Sequence, residues 1–226
     1  MSAGAQGATV VAIDGPAGSG KSSVARAVAR ELGFQFLDTG AAYRALAWLI
    51  VERGGDTDDP ATVIGALDAL DSLELTVDAA GQRVAIAGHD VTDEIRSERI
   101  SVAVSGVART LPAREAVNLR FRAIIAEARP GIVAEGRDIT TVVAPDADVR
   151  VLLTADEAVR IRRRFGDVGG DERQVGARLA ARDASDAKVV DFLSAAEGVT
   201  VVDSTDLTFD ETVEAIVRLV NEESHD

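Results

Sequence analysis

The chain has 226 residues, which is enough for one buried core with insertions but argues against two independent domains. Its 24 lysine and arginine residues against 38 aspartate and glutamate residues give a formal net charge of −14, so we expect no nucleic-acid or membrane partner. The sequence has no cysteine and no apolar run of about 18 residues, which excludes disulfides and thiol chemistry and favours a cytoplasmic protein over a secreted one.

Short apolar runs rich in β-branched residues alternate with helical patterns along most of the chain. The runs predict buried parallel strands at 9–13, 34–37, 132–134, 148–153 and 200–202. The helical patterns cover 21–32, 41–53, 112–128, 156–164 and 209–221, and the last begins at a capping box from Thr208 to Glu211. The alternation predicts an α/β fold with a parallel sheet covered by helices on both faces.

Two segments interrupt this alternation. Short strands at 73–77 and 83–86, joined by a turn at 78–81, predict a small antiparallel β insert. Residues 156–189 are rich in charge and carry glycines at the end of 167–170, between helical stretches, which predicts a helical lid with a mobile hinge. We therefore divide a single domain over 1–226 into a core (8–60, 106–155 and 190–226), an insert (about 61–105) and a lid (about 156–189).

A phosphate-binding motif directly follows the first predicted strand. Glycines allow backbone N–H groups to turn towards an anion, and the N-terminus of the following helix adds partial positive charge. We expect Lys21 to reach the β- and γ-phosphates of ATP and the Ser22 hydroxyl to bind Mg²⁺. A glycine-rich helix cap without a ligand is the alternative. The residues expected to bind ATP are Gly15, Pro16, Ala17, Gly18, Ser19, Gly20, Lys21, Ser22 and Ser23.

The phosphate-binding motif by itself does not separate small-molecule kinases from GTPases or motor ATPases. The sequence contains no Asn-Lys-x-Asp stretch for guanine recognition, and the chain is short for a motor ATPase. A kinase with a small acceptor is therefore favoured.

Three further stretches indicate the acceptor. They are Leu-Asp-Thr-Gly-Ala-Ala-Tyr-Arg at 37–44, Gly-His-Asp-Val-Thr-Asp-Glu-Ile-Arg at 88–96, and Glu-Gly-Arg-Asp-Ile-Thr-Thr-Val-Val-Ala-Pro-Asp-Ala at 135–147. With them the sequence resembles the bacterial cytidylate kinases over nearly its whole length. The resemblance implies a P-loop NTPase three-layer fold with a monophosphate-binding insert and a lid. It also implies phosphorylation of CMP and dCMP by ATP with Mg²⁺, and a monomeric enzyme.

The resemblance further implies which residues hold the phosphate and the base of the acceptor. Arg44 and Arg137 are expected to clamp the phosphate, and a guanidinium suits this role because its planar fork meets phosphate oxygens bidentately. Ser105, Arg114 and Asp138 are expected to read the cytosine edge. An ionised aspartate accepts from the exocyclic amine that cytosine has and uracil lacks.

Other roles follow from the same resemblance. Arg182 and Asp186, one helical turn apart, are expected to contact the sugar. Thr39, Tyr43 and Lys188 are assigned to the acceptor site as well. The lid arginines are expected to stabilise transition-state charge, and they are Arg160, Arg162, Arg163 and Arg164. The residues expected to act in catalysis are Lys21, Asp38, Arg162 and Arg182, with Asp38 orienting Mg²⁺ or the acceptor oxygen.

Each assignment has a simpler alternative. The less favoured alternative for Arg44 is an ordinary surface arginine, and for Asp138 it is an ion pair to Arg137 or a helix cap. Ser105 and Tyr43 are compatible with packing residues. The arginine run of the lid is compatible with a solvated helix face.

Four features depart from the family pattern. Ala17 replaces a serine that touches the acceptor phosphate in some relatives, and Thr140 replaces a common glycine. Lys188 stands where an arginine is usual and lacks its fork. The lid connection at 165–170 is shorter. These differences bear on lid geometry and rate, and they leave two alternatives open: a nucleotide-binding regulatory protein without turnover, and a kinase for another small acceptor.

Overall fold

The computed structural model describes residues 8–223, apart from the side chains at 167 and 168. The ends of the predicted domain, 1–7 and 224–226, lie outside the described residues. In chain order the strands are β1 (Thr9–Asp14), β2 (Gln35–Asp38), β3 (Glu74–Leu75), β4 (Val84–Ile86), β5 (His89–Asp90), β6 (Gly131–Gly136), β7 (Val149–Thr154) and β8 (Thr200–Asp203). The helices are α1 (Lys21–Leu32), α2 (Thr39–Glu52), α3 (Pro60–Gly65), α4 (Glu98–Arg109), α5 (Leu111–Glu127), α6 (Glu157–Val168), α7 (Glu172–Asp186) and α8 (Phe209–Glu223).

Five strands form the parallel sheet that the sequence predicts. Their order is β2-β6-β1-β7-β8, and each neighbouring pair is parallel. The central strands β1 and β6 are apolar in their middle, at 10–13 and 132–134, because helices cover both faces of the sheet. Side chains alternate between the faces, so Ile132 packs towards α2, α4 and α5, whereas Val133 packs towards α1 and α8.

The predicted insert is present as a second, antiparallel sheet of strand order β3-β4-β5. It packs on α2 through the buried side chains of Val84 and Ile86. A short 3₁₀ turn at Glu94–Arg96 follows it and leads into α4. The insert therefore stands beside the carboxyl end of β2, where α2 begins.

Three helices differ from the sequence prediction: α6 is longer than predicted, and neither α3 nor α4 was predicted. The helix predicted over 156–164 extends to Val168, so part of the expected hinge is helical and only Gly169, Gly170 and Asp171 separate α6 from α7. Helix α4 was not among the predicted helices, because its valines and Gly106 have low helix propensity. Tertiary packing overrides that propensity: a Cβ on Gly106 would lie 2.2 Å from the carbonyl oxygen of Thr57.

The carboxyl ends of three strands, β2, β6 and β1, are neighbours in the sheet. Asp38 is the last residue of β2, and Arg137 and Gly15 directly follow β6 and β1. Ligands of open parallel sheets bind at this edge. No helix within 8–223 is long and apolar enough to cross a membrane.

Candidate active site

The phosphate loop connects β1 to α1. Gly20 adopts a left-handed conformation with φ of 85° immediately before α1, which favours glycine. Gly15 has no room for a side chain, because a Cβ there would lie 2.2 Å from the Leu153 carbonyl oxygen on β7. The loop is thus pressed against the sheet with its amides at the start of a helix, the geometry that binds anions.

Lys21 is the first residue of α1, and its side chain reaches back over the loop. Its Nζ donates to the Pro16 carbonyl oxygen at 3.4 Å. Burial and the neighbouring Arg137 lower the pKa of Lys21 to about 7, although Glu135 opposes this. An anion bound beside Lys21 would restore its charge, so the site favours a phosphate ligand.

Ser22 contacts an acidic residue that the sequence analysis did not assign. Its Oγ donates to Glu135 Oε1 at 2.6 Å. Glu135 is the penultimate residue of β6 and is buried, and burial followed by the charge of Asp38 raises its pKa. The sequence signal was its place at the carboxyl end of a predicted strand, directly before the Gly-Arg-Asp stretch.

Ser22, Glu135 and Asp38 form a donor set that suits Mg²⁺. Within the described part of the chain, no group of three or more His, Cys, Asp or Glu residues is arranged to hold a metal. Mg²⁺ does not require such a group, because it keeps several waters and binds one or two carboxylates together with substrate phosphates. A hydroxyl and two carboxylates beside a phosphate loop therefore fit this ion.

Asp38 is the last residue of β2 and the N-cap of α2, and its side chain joins the core to the insert. Its carboxylate accepts from the Ala41 amide at 3.0 Å, from Gln82 Nε2 at 3.1 Å and from Arg96 Nη2 at 3.1 Å. Burial alone would raise the pKa of Asp38, but Arg96, Gln82 and Arg44 together bring it below its ordinary value. Asp38 is therefore an ionised carboxylate beside the cavity.

Arg44 is not an ordinary surface arginine. It lies on α2, largely buried, and its Nη1 donates to the Ile95 carbonyl oxygen and to Ser101 Oγ, each at 3.0 Å. These contacts place the guanidinium at the cavity wall beside the insert. A positive group held in this way is available to a ligand in the cavity.

Arg137 follows β6 and faces the phosphate loop. Its Nη1 donates to the Gly15 carbonyl oxygen at 2.5 Å and its Nε to Asp186 Oδ2 at 2.9 Å. Its Nη2 is buried without a hydrogen-bond partner among residues 8–223, and the ion pair from Nη2 to Asp183 Oδ1 spans 3.7 Å. A buried donor without a partner costs free energy, so we expect a ligand in the cavity to supply the acceptor.

Asp138 forms an ion pair with Arg114 and not with Arg137. Asp138 Oδ2 accepts from Arg114 Nη2, and Arg114 Nη1 donates to the Ala108 carbonyl oxygen at 3.2 Å. Asp138 precedes a π-helical turn at Ile139–Val143 but makes no side-chain cap there. Burial raises the pKa of Asp138, and Arg114 opposes the rise. The pair and Ser105 line one end of the cavity.

Two predicted acceptor residues serve as framework at the cavity wall. The Thr39 hydroxyl donates to the Glu135 carbonyl oxygen at 2.7 Å, which ties α2 to β6. Tyr43 is buried, packs edge-on against Phe121 with ring centroids 6.2 Å apart, and donates to Asn118 Oδ1 at 3.4 Å. Burial raises the pKa of Tyr43, so it remains a neutral phenol.

The lid helices lie against the phosphate loop. Arg160 Nη1 donates to the Ala17 carbonyl oxygen at 2.8 Å and to Asp183 Oδ2 at 2.6 Å. Arg163 Nη1 donates to the Ser19 carbonyl oxygen at 3.2 Å. Asp183, which the sequence analysis missed, also accepts from the Ala17 amide at 2.9 Å.

The remaining predicted lid residues divide into two groups. Arg164, Arg182 and Asp186 line the cavity, and Arg182 Nε is buried without a hydrogen-bond partner among residues 8–223. Burial followed by the charges of Arg137 and Arg44 lowers the pKa of Arg182 to about 10. Arg162 and Lys188 are exposed and do not line the cavity. The structure therefore corrects the expectation that Arg162 and Lys188 face the cavity. Arg160 and Arg163 do not line the cavity either, but they donate hydrogen bonds to backbone carbonyl oxygens of the phosphate loop.

One cavity of about 300 Å³ joins these groups. This volume is at the lower end of the range for small-molecule sites. Both the phosphate loop and the acceptor-side arginines Arg44 and Arg137 line it, and Arg137 also contacts the loop at Gly15. The predicted site residues that line it are Ala17, Gly18, Gly20, Lys21, Ser22, Ser23, Asp38, Thr39, Tyr43, Arg44, Ser105, Arg114, Arg137, Asp138, Arg164, Arg182 and Asp186.

Comparisons with known proteins agree with this geometry. A model of the family described as cytidylate kinase matches residues 11–222. A cytidylate kinase of Cutibacterium acnes is 49% identical over 93% of this chain and 95% of its own length. Another, of Streptomyces coelicolor, is 42% identical over 95% of this chain and 94% of its own length. The crystal structure of a gluconokinase from Sinorhizobium meliloti covers 96% of this chain and 94% of its own at a TM-score of 0.50 and 15% identity, a likeness of fold alone.

Proposed function

Since the chain belongs to the cytidylate kinase family, we propose that it transfers the γ-phosphoryl group of ATP to the phosphate of CMP, and of dCMP, in the cavity between phosphate loop, insert and lid. One observation carries the assignment of the acceptor side. The buried Nη2 of Arg137 has no hydrogen-bond partner within 8–223, yet the same guanidinium is anchored to the phosphate loop at Gly15. A second phosphate beside the loop supplies the missing acceptor.

The donor nucleotide is held by the phosphate loop. The loop amides and the N-terminus of α1 receive the phosphate oxygens of ATP, and Lys21 contributes positive charge once the phosphates arrive. Ser22, with Glu135 and Asp38 nearby, would hold Mg²⁺, which supplies charge neutralisation at the transferring phosphate when bound. Arg160 and Arg163 of the lid helix α6 donate hydrogen bonds to backbone carbonyl oxygens of the loop and so place positive charge beside it.

The acceptor nucleotide is held beside the phosphate loop by side chains of the same cavity. Arg44 and Arg137 clamp its phosphate, and Arg182 and Asp186, which also line the cavity, contact its sugar. Asp138, oriented by Arg114, accepts from the exocyclic amine of cytosine. Uracil presents a carbonyl at that position, so the same carboxylate repels it.

The reaction is an in-line displacement. An oxygen of the CMP phosphate forms a bond to the γ-phosphorus of ATP while the bond from that phosphorus to the bridging oxygen breaks, and ADP leaves with the electron pair. The attacking phosphate is already ionised, so no general base is required. Positioning and charge stabilisation by Lys21, Arg137 and the lid arginines therefore account for the rate. This assembly of charged groups around one cavity gives no support to a regulatory protein without turnover.

We also propose that the enzyme acts as a monomer on free nucleotides in the cytoplasm. The absence of cysteine suits a reducing compartment, and the net charge of −14 disfavours nucleic acid as a partner.

An acceptor panel tests the proposal. The purified protein is mixed with ATP, Mg²⁺ and CMP, dCMP, UMP or AMP, and ADP release is followed in a coupled assay. We expect turnover with CMP and dCMP and at least about tenfold lower kcat/KM with UMP, because a buried carboxylate rejects the uracil edge. Absence of ADP release with CMP would overturn the function.

Asp138→Asn tests, in the same assay, whether Asp138 recognises the cytosine base. The variant should lower kcat/KM for CMP and bring the ratio of CMP to UMP use towards one, with KM for ATP little changed. Asp146→Asn, an exposed aspartate in the same segment, is the matched control. If the ratio of kcat/KM for CMP to kcat/KM for UMP were unchanged in Asp138→Asn, another residue would be responsible for recognising cytosine.

A further inference from the structure

Asp14 is a buried acid that the mechanism above does not use. It is the last residue of β1 and directly precedes Gly15 of the phosphate loop. Its Oδ1 accepts from the Ile139 amide at 2.9 Å, and its Oδ2 accepts from the Thr140 amide at 2.8 Å and from the Thr140 hydroxyl at 2.6 Å. The Thr140 side chain is therefore engaged in a specific contact.

We propose that Asp14 and Thr140 are positioning residues, which hold the acceptor-binding pair Arg137 and Asp138 at a set place relative to the phosphate loop. The inference rests on the proposed function, because it concerns how the two phosphates are aligned for transfer. Neither residue touches the reacting atoms, and neither lines the cavity.

Hydrogen bonds join the segment 137–140 to the start of the phosphate loop at two points. Arg137 donates to the Gly15 carbonyl oxygen at 2.5 Å, and Ile139 and Thr140 bind the carboxylate of the preceding residue, Asp14. Residues 137–140 are thus attached at both ends to the start of the phosphate loop. Because Asp138 lies between these two attachments, its position follows from them.

The Thr140 hydroxyl matters because of the burial of its partner. Asp14 and Thr140 are each less than one-twentieth exposed, so water does not replace a lost hydrogen bond. Burial raises the pKa of Asp14, and the hydrogen bonds of Thr140 and Ile139 and the charge of Lys21 oppose the rise. Removal of the hydroxyl leaves a carboxylate oxygen with one fewer donor, and the segment 137–140 becomes less firmly held.

The test compares four single variants in the full-length protein. Thr140→Val removes the hydroxyl and keeps the shape, Thr140→Gly removes the whole side chain, and Thr140→Ser retains the hydroxyl. Thr141→Val makes the same chemical change at the neighbouring residue, which is exposed. Steady-state rates with CMP, UMP and ATP, calorimetric binding of CMP alone, and thermal unfolding are measured for each.

We expect Thr140→Val and Thr140→Gly to lower kcat/KM for CMP about tenfold, the loss of one hydrogen bond to a charged group, and to reduce the preference for CMP over UMP. KM for ATP should stay within about twofold, since the loop amides are unaltered. Thr140→Ser should restore the wild-type values, and Thr141→Val should keep them. The affinity for CMP alone should fall in parallel with kcat/KM.

A merely structural role predicts a different result. In that case thermal stability falls while the folded enzyme keeps its CMP preference and its CMP affinity, and this outcome would overturn the inference, as would unchanged kinetics in Thr140→Val. Asp14→Asn combined with Thr140→Val supplies a second criterion. The double variant should lose no more than Asp14→Asn alone, and fully additive losses would show that the two residues act separately. Failure of the wild type to use CMP would instead refute the function.

Discussion

The carboxylate of Asp183 accepts a hydrogen bond from the backbone amide of Ala17 at 2.9 Å, so the lid and the phosphate loop are joined directly. The second oxygen of Asp183 binds Arg160, which itself donates to the Ala17 carbonyl oxygen. The Ala17 methyl group packs with Val175 and Leu179 of α7. Ala17 therefore forms part of the contact between the lid and the phosphate loop.

The Asp183 contact predicts a defect in lid closure when its charge is removed. Asp183→Asn should lower kcat/KM for ATP about tenfold. The substitution removes the ion pair between Asp183 on α7 and Arg160 on α6, and it weakens the hydrogen bond from the Ala17 amide of the loop. Glu172→Gln, an exposed acid on the same helix, is the matched control in the coupled assay. A gain in ATP affinity would instead indicate that Asp183 competes with phosphate for the Ala17 amide.

The lowered pKa of Lys21 predicts proton uptake on ATP binding. With a pKa of about 7, the amine is mostly neutral in the free enzyme above that pH, and the phosphates of ATP raise the pKa on binding. Binding at pH 8 should therefore take up a proton, and affinity should fall between about pH 7 and about pH 9. Calorimetry in two buffers of different ionisation enthalpy measures the uptake. Lys21→Met should abolish it, and an equal uptake in that variant would contradict the assignment.

The hydrogen bond between Ser22 and Glu135 predicts a changed metal requirement. Glu135→Gln removes a carboxylate next to the serine that is proposed to bind Mg²⁺, and such outer-shell changes weaken metal binding about tenfold or more. The Mg²⁺ concentration for half-maximal rate should rise accordingly. Glu127→Gln, at the exposed end of α5, should leave it unchanged. The idea fails if both variants show the same Mg²⁺ dependence.

The lid contacts predict an order of effects among neighbouring arginines. Arg160 and Arg163 reach backbone carbonyls of the phosphate loop, whereas Arg162 is exposed. At saturating ATP and CMP, Arg160→Met and Arg163→Met should lower kcat about 100-fold, the scale of a lost charge-stabilising group. Arg162→Met should have a clearly smaller effect. The reverse order would restore Arg162 to the role expected from the sequence.

Local signals in the sequence were sufficient for most of the architecture. The strand at 9–13 and the helix at 21–32 coincide closely with β1 and α1, because an apolar run and the glycine-rich loop mark both elements without reference to distant residues. Helix α4 could not be predicted in the same way. Its stability comes from packing against α2 and the Thr57 backbone, which overrides the low propensity of its valines and glycine.

The sequence by itself determined the phosphate loop, the alternation of parallel strands with helices, and the resemblance to a family of nucleotide kinases. These features depend on short contiguous patterns. Only the tertiary structure decided which charged residues meet. Asp138 pairs with Arg114, which is 24 positions away, and Asp183 with Ala17, which is 166 positions away. It also separated Arg160 and Arg163 from Arg162, because residues one position apart on a helix point in directions about 100° apart, and only packing determines which of them faces the loop.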